Sequence, residues 1–211
     1  MKHLKESNEF TQALARQAQE AKLAQAYQTF YNACLKISET EIDLESSTVT
    51  EAGASLFGEE NTQTIAALAA KLKADTALCA SDRYLGQIKD TTYHTAMSNT
   101  QDPKKESFLT FLIVLAKIMR GAEGDGLHNI VDRIHQQFSA FFTGRMGKWI
   151  NTPYEAQRDK TTNKNTVLAI TAVQHLLTAW LAFVESYDAF IDAVAEVLGN
   201  ADLVNGVTNS S

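Results

Sequence analysis

Apolar side chains recur three and four positions apart along most of this chain, the spacing that places them on one face of an α-helix. In the segment 108–119 they cover nearly the whole circumference of such a helix. This segment is about a dozen residues long, whereas a transmembrane helix needs ~20 apolar residues. We therefore predict a helix over 103–120 that lies at the centre of a protein core.

The sequence also predicts where this central helix begins and ends. Asp102 can accept hydrogen bonds from the free N–H groups of the first turn, and Pro103 follows it, where a missing N–H costs nothing. Gly121 suits the left-handed conformation that closes many helices. The segment is therefore expected to form a helix that ends at Arg120.

The composition predicts an all-α protein. Two prolines and ten glycines in 211 residues are too few to form the turns of a fold with many short strands. We predict one helical domain over 1–211, a multi-helix bundle or orthogonal helical domain of six to seven helices around the 103–120 helix, with a frayed tail over 200–211.

The first helix, predicted over 8–37, carries two apolar stripes. The later stripe follows the spacing of a coiled-coil seam, and the earlier one is rotated from it by well over 90°. Either the chain kinks near residue 22 and both stripes are buried, or the earlier stripe docks onto another chain. The earlier stripe consists of Phe10, Leu14, Ala18 and Ala21.

The segment 38–61 contains seven acidic residues and no Lys or Arg. We predict an acidic loop here, and loops of this length are usually functional or disordered. Its apolar side chains could become ordered on a partner protein. The ones we assign to partner binding are Ile42, Leu44, Leu56 and Phe57.

The charge distribution argues against two classes of partner. Outside the acidic segment the chain is close to neutral, so it has no basic surface for nucleic acid and no polybasic patch for an anionic membrane.

Cys34 and Cys79 lie on apolar stripes and are expected to be free core thiols. With no signal-peptide pattern at residues 1–10, the default expectation is a cytoplasmic protein that needs no cofactor.

Three polar residues on one helix form the only metal-ligand pattern that we find. His128, Asp132 and His135 have i, i+4 and i+7 spacing and would lie within ~60° of one another on a predicted helix from Leu127 to about Gly144. They also border an apolar stripe, where polar residues are ordinary. We interpret them as flanking residues, with a metalloprotein or enzyme as the alternative.

A basic loop is predicted after Gly144. Its sequence departs from the phosphate-loop pattern, because Trp149 stands where Ser or Thr is needed and a helix precedes the loop. Trp149 could fold back onto the core or serve as an interface anchor beside basic side chains. We assign Arg145, Lys148 and Trp149 to partner binding.

The leading hypothesis is a non-enzymatic protein–protein interaction module: an adaptor, assembly factor or chaperone-like subunit of a larger complex, such as a secretion system. It rests on the missing catalytic motifs, the second apolar stripe of the first helix and the acidic segment. Small acidic chaperones of bacterial secretion systems share this general character, without a common motif. A membrane-active or exported effector, in which the helix over 108–119 enters lipid, is the other alternative. Homo- and hetero-oligomers both stay open.

Overall fold

The computed structural model describes residues 2–41, 46–89, 105–121, 125–146 and 164–199. Over these ranges the chain is helical and contains no strand, which confirms the predicted all-α class. The helices are α1 (Lys2–Glu39), α2 (Ser47–Phe57), α3 (Glu59–Ala80), α4 (Leu85–Lys89), α5 (Lys105–Arg120), α6 (Leu127–Ser139), a π-helical continuation (Ala140–Arg145) and α7 (Lys164–Leu198).

These helices form two compact units. Unit 1 takes its described residues from Met1–Ala33, Cys79–Leu127 and Glu185–Ser211. Unit 2 takes its described residues from Cys34–Leu78 and His128–Val184. Each unit has its own buried apolar side chains.

Antiparallel packing of α1 on the end of α7 builds the core of unit 1. The Phe30 ring lies 5.5 Å from that of Tyr187 and 5.8 Å from that of Phe190. Two turns earlier on α1, Lys22 Nζ lies 2.8 Å from Oε1 of Glu196. The two helices are therefore antiparallel, and their contact extends almost to the end of α7 at Leu198.

Helix α5 packs against α4 in unit 1 and is amphipathic. Among its described side chains, those of Phe111, Leu112, Leu115 and Ile118 are buried. The side chain of Ile113 is exposed. The prediction that this helix is buried on all sides was therefore wrong. The buried side chains occupy one side of α5, and this packing leaves its other side to solvent.

An aromatic cluster fills unit 2. The indole of Trp180, on α7, stacks 5.4 Å from the ring of Phe138 on α6. Phe142, which follows in the π-helical turn, lies 5.8 Å from Phe138. The π-helical geometry is closed by the hydrogen bond from Met146 N to Phe141 O, 2.9 Å long and five residues apart.

Helices occupy most of the acidic segment, so the prediction of a loop over 38–61 was wrong. Helix α2 starts after Ser46, whose hydroxyl accepts a hydrogen bond of 3.3 Å from Val49 N. It ends at Gly58, whose φ is +92°, and α3 begins at the next residue. The capping Ser and the closing Gly are local signals that the high acidic content obscured. Residues 42–45 of the predicted loop lie outside the described residues, as does the predicted tail over 200–211.

Candidate functional site

Helix α1 is continuous from Lys2 to Glu39, so the kink predicted near residue 22 was wrong. No proline or glycine occurs between these residues, and nothing in the local sequence forces a break. The two apolar stripes therefore lie on one continuous helix. Only the later stripe, with Leu23, Tyr27 and Phe30, is buried in unit 1.

The start of α1 forms an exposed arm. We use the name N-terminal arm for residues 2–15, of which every described side chain is exposed. Phe10 is 67% exposed and Leu14 is 50% exposed. At 1.5 Å per residue the arm is about 21 Å long. A large aromatic and a leucine one turn apart are thus presented to solvent.

The exposed stripe points away from the core of unit 1. At 100° per residue, the stripe that contains Phe10 and Leu14 lies about 160° around the helix from the stripe that contains Leu23, Tyr27 and Phe30. Ala18 and Ala21 continue the outer stripe and are also exposed. No bend of α1 towards its own core would therefore cover Phe10.

The length of α7 explains why the arm is left uncovered. The pairing of Lys22 with Glu196 lies near the last turn of α7, and α7 ends at Leu198. The inner side of α1 turns polar just before this point, where Arg16 Nε lies 3.7 Å from Oε1 of the buried Glu20. The core stripe therefore ends where its partner helix ends.

The other residues assigned to partner binding are less accessible or not described. Phe57 is buried and Leu56 is half-buried. Ile42, Leu44, Lys148 and Trp149 lie outside the described residues, as does the side chain of Arg145. Of the predicted set, Phe10 and Leu14 are the ones that the described structure presents to solvent.

The three candidate metal ligands have other neighbours. His128 Nε2 lies 3.1 Å from Oδ2 of Asp132, in an exposed i, i+4 pair. The His135 ring lies 5.9 Å from the indole of Trp180. Over the described part of the chain, no group of three His, Cys, Asp or Glu residues is placed to hold a metal ion.

One carboxyl in unit 2 is perturbed by its surroundings. Burial raises the pKa of Asp75, and the positive charges of Lys71 and Arg133 lower it by a smaller amount. Oδ2 of Asp75 is buried and has no hydrogen-bond partner among the described residues. A carboxyl whose pKa is raised on folding makes the stability of the protein depend on pH.

The sequence analysis missed a surface on α7. Between Lys164 and Glu185 the helix has 20 consecutive residues without a charged side chain other than histidine. Leu168 is 52% exposed and Leu181 is 50% exposed. The run is visible in the sequence, but the prediction of an outstandingly apolar helix fell on the segment 108–119 instead.

No protein-family model, no curated protein and no solved structure matches this chain. The function is therefore inferred from its two uncovered apolar surfaces, the N-terminal arm and the uncharged part of α7. The arm continues a helix whose later turns are buried from Leu23 onward, and the uncharged part of α7 lies on a helix whose other face is buried.

Proposed function

We propose that this chain is a non-enzymatic protein-binding module, an adaptor or assembly factor whose N-terminal arm docks into an apolar groove of another protein. The observation that carries this proposal is the exposure of Phe10 and Leu14 on a helix that projects beyond its partner helix. An amphipathic helix that places i, i+4 anchors in a groove is a common mode of peptide recognition.

The energetics favour a partner that covers the arm. Fully burying a Phe or Leu side chain is worth about 1.5–3 kcal/mol. The arm also joins a helix whose later turns are fixed by Tyr27 and Phe30, so its helical form is already nucleated. A partner therefore meets a largely ordered helix, and less conformational entropy is lost on binding.

The small size of the stripe favours a groove over a second copy of the chain. Beyond Phe10 and Leu14 the stripe continues only with Ala18 and Ala21. A stable interface buries about 800 Å² on each partner, and two such narrow stripes facing each other would fall short of this area. A groove supplies apolar walls on both sides of each anchor.

The test uses the full chain purified from its native cell. The double variant Phe10→Ala with Leu14→Ala should lose a stoichiometric protein partner that the wild-type chain retains. Gln12→Ala is the matched control, because Gln12 is exposed on the arm but points to the other side of the helix. Hydrogen exchange of the arm amides should slow when the purified partner is added.

Two results would contradict this proposal. If the double variant retains its partner as well as Gln12→Ala does, the arm is not the docking surface. If the isolated wild-type chain dimerises with concentration and the double variant does not, the arm binds a second copy instead.

A further inference from the structure

The outer face of α7 is bounded by one positive and one negative charge. Lys164 and Glu185 are both exposed, and between them the helix has no charged side chain other than histidine. Exposed positions in this interval include Leu168, His175 and Leu181. Depletion of charged residues together with exposed apolar side chains is typical of the central part of a protein interface. We use the name α7 face for the exposed and half-buried positions from Lys164 to Glu185.

The α7 face is symmetric about the midpoint between Gln174 and His175. Each position on one side of this midpoint has a counterpart of the same or of complementary character at the same distance on the other side. The counterparts are Thr171 with Thr178, Leu168 with Leu181, Val167 with Ala182, and Lys164 with Glu185. At 100° per residue all of these positions lie within about 70° of one line along the helix, and each is exposed or half-buried.

This symmetry makes the face complementary to itself in an antiparallel pair. A twofold axis at the midpoint, perpendicular to the helix, places each residue opposite its counterpart in a second copy of the chain. Interfaces between identical chains are usually of this isologous kind, with the same patch used on both sides. The symmetric pattern of α7 therefore indicates which partner fits it.

Opposite charges meet at both ends of such a pair. Lys164 of one copy lies opposite Glu185 of the other, and the twofold axis repeats this contact at the far end. A parallel pair would instead place Lys164 beside Lys164 and Glu185 beside Glu185. Like charges at this distance repel each other, so the electrostatic energy selects the antiparallel direction.

Apolar layers lie between the charged ends. In the antiparallel pair Val167 and Leu168 of one copy meet Leu181 and Ala182 of the other, and the axis generates the same layer twice. Thr171 faces Thr178 between each layer and the axis, and the small size of threonine allows the two helices to approach closely. At the axis itself, His175 lies beside its own copy. Each layer thus removes apolar side chains that are exposed in the single chain from water.

We propose that the α7 face is a self-association surface, on which a second copy of this chain packs its own α7 in the antiparallel direction. The opposite face of α7 keeps its contacts, so the stacking of Trp180 on Phe138 and that of Phe30 on Phe190 stay intact. The α7 face shares no residue with the N-terminal arm, and the pairing does not depend on docking by the arm.

The size of the face predicts a reversible dimer. From Lys164 to Glu185 the helix is about 33 Å long, and a helix with its side chains is about 10 Å wide. The contact is therefore smaller than the ~800 Å² on each partner that stable complexes bury. Complementary charges and apolar layers still favour association, because affinity does not follow area alone.

Sedimentation equilibrium of the isolated full chain measures this association. The mean mass should rise from that of one chain towards that of two as the concentration increases to about 1 mM. The double variant Phe10→Ala with Leu14→Ala should dimerise as the wild-type chain does, because the arm is not in the contact. Failure of dimerisation and failure of docking by the arm are thus separate results.

Charge reversal tests the register of the pair. Lys164→Glu places two carboxylates opposite each other at both ends and should raise the Kd of the dimer about tenfold. Glu185→Lys should have the same effect. The variant that carries both substitutions restores opposite charges at each end and should recover the Kd of the wild-type chain. Lys73→Glu is the control, because it makes the same change of charge at an exposed position of α3.

Cysteine cross-linking tests the direction of the pair. His175→Cys places two thiols beside each other at the axis, close enough for a disulfide, and should form a covalent dimer on mild oxidation. Ala189→Cys is the matched control on the same side of α7, because the two copies of this position lie about 43 Å apart in the antiparallel pair. Cys34 and Cys79 are buried, so neither supplies an accessible thiol.

Three results would overturn the proposal. A wild-type chain that stays monomeric up to about 1 mM has no self-association surface of this kind. A doubly reversed variant that dimerises as weakly as Lys164→Glu excludes the contact between residues 164 and 185. Equal cross-linking of His175→Cys and Ala189→Cys excludes the antiparallel arrangement.

Discussion

The hydroxyl of Tyr27 donates a hydrogen bond of 2.5 Å to the main-chain oxygen of Leu85, and both residues are fully buried in unit 1. This bond ties α1 to the first turn of α4, across 58 residues of sequence. The Tyr27 ring also lies 6.3 Å from the ring of Phe190 on α7. One side chain thus joins three helices of the unit.

Removing this hydroxyl should weaken unit 1. In Tyr27→Phe, the Leu85 oxygen stays buried and loses this donor, which costs about 1–2 kcal/mol in the free energy of unfolding. Urea denaturation followed by circular dichroism measures the change. Tyr31→Phe is the control, because Tyr31 is only half-buried, and it should change the free energy by less than about 0.5 kcal/mol. Equal effects of the two substitutions would assign no special role to the bond to Leu85.

Asp75 should make unit 2 less stable as the pH rises. Burial raises its pKa in the folded chain above the ordinary value of 3.8, so the folded state binds more protons than the unfolded state between the two pKa values. The free energy of unfolding falls as pH rises through this window. Asp75→Asn removes the fall, and at neutral pH the variant should be more stable than the wild-type chain.

Urea denaturation from acidic to neutral pH measures this effect. Well below pH 3.8 the carboxyl is protonated in both states, and the advantage of Asp75→Asn should shrink towards zero. Asp188→Asn, the same substitution at an exposed position, is the control variant. A loss of stability in Asp75→Asn at neutral pH would mean that attraction to Lys71 and Arg133 outweighs burial.

Close approach of α2 and α3 depends on Gly53. A Cβ added there would lie 2.9 Å from Cγ2 of Thr62 and 3.1 Å from its Oγ1. Gly53→Ala improves helix propensity by about 1 kcal/mol, but overpacking costs about 1–3 kcal/mol. We expect a net loss near 1 kcal/mol in the free energy of unfolding, measured by urea denaturation.

A double-mutant cycle isolates this contact. Thr62→Ser removes the Cγ2 methyl group and keeps a hydroxyl that can donate to Gly58 O, as Thr62 does over 2.8 Å. Gly53→Ala should therefore be neutral or stabilising in the Thr62→Ser background. The same loss in both backgrounds would place the strain elsewhere.

The turn after α5 requires glycine at position 121. Gly121 has φ of +63°, and a Cβ there would overlap the backbone of Gly126. Gly121→Ala should lower the free energy of unfolding by at least about 1–2 kcal/mol. Gly144→Ala is the control, because no described atom lies within 4 Å of its added Cβ. Thermal unfolding measures the stability of both variants. Equal losses of stability would contradict this interpretation.

Signals that act over a few residues made part of this fold predictable. Gly121 was expected to close a helix because a left-handed residue favours glycine, and its positive φ confirms that prediction. The apolar spacing of Leu23, Tyr27 and Phe30 likewise identified a core face, which is buried.

Features that depend on distant packing were not predictable. Sequence spacing showed that Phe10 and Leu23 belong to different faces of α1, but whether Phe10 is covered depends on where α7 ends against α1. Ile113 appeared to belong to a helix buried all round, and only the packing of α5 left it exposed. Burial of a given stripe is set by neighbours far away in sequence.

Deleting the N-terminal arm should separate docking from folding. A chain that starts at Arg16 loses only exposed described side chains, so its free energy of unfolding should stay within about 0.5 kcal/mol of the full chain. The same deletion should abolish binding of the partner that needs Phe10 and Leu14. Leu23→Ala provides the contrast, because Leu23 is fully buried and its truncation should cost about 2–5 kcal/mol. Urea denaturation measures all three chains, and a loss above about 2 kcal/mol on arm deletion would show that the arm packs within its own chain.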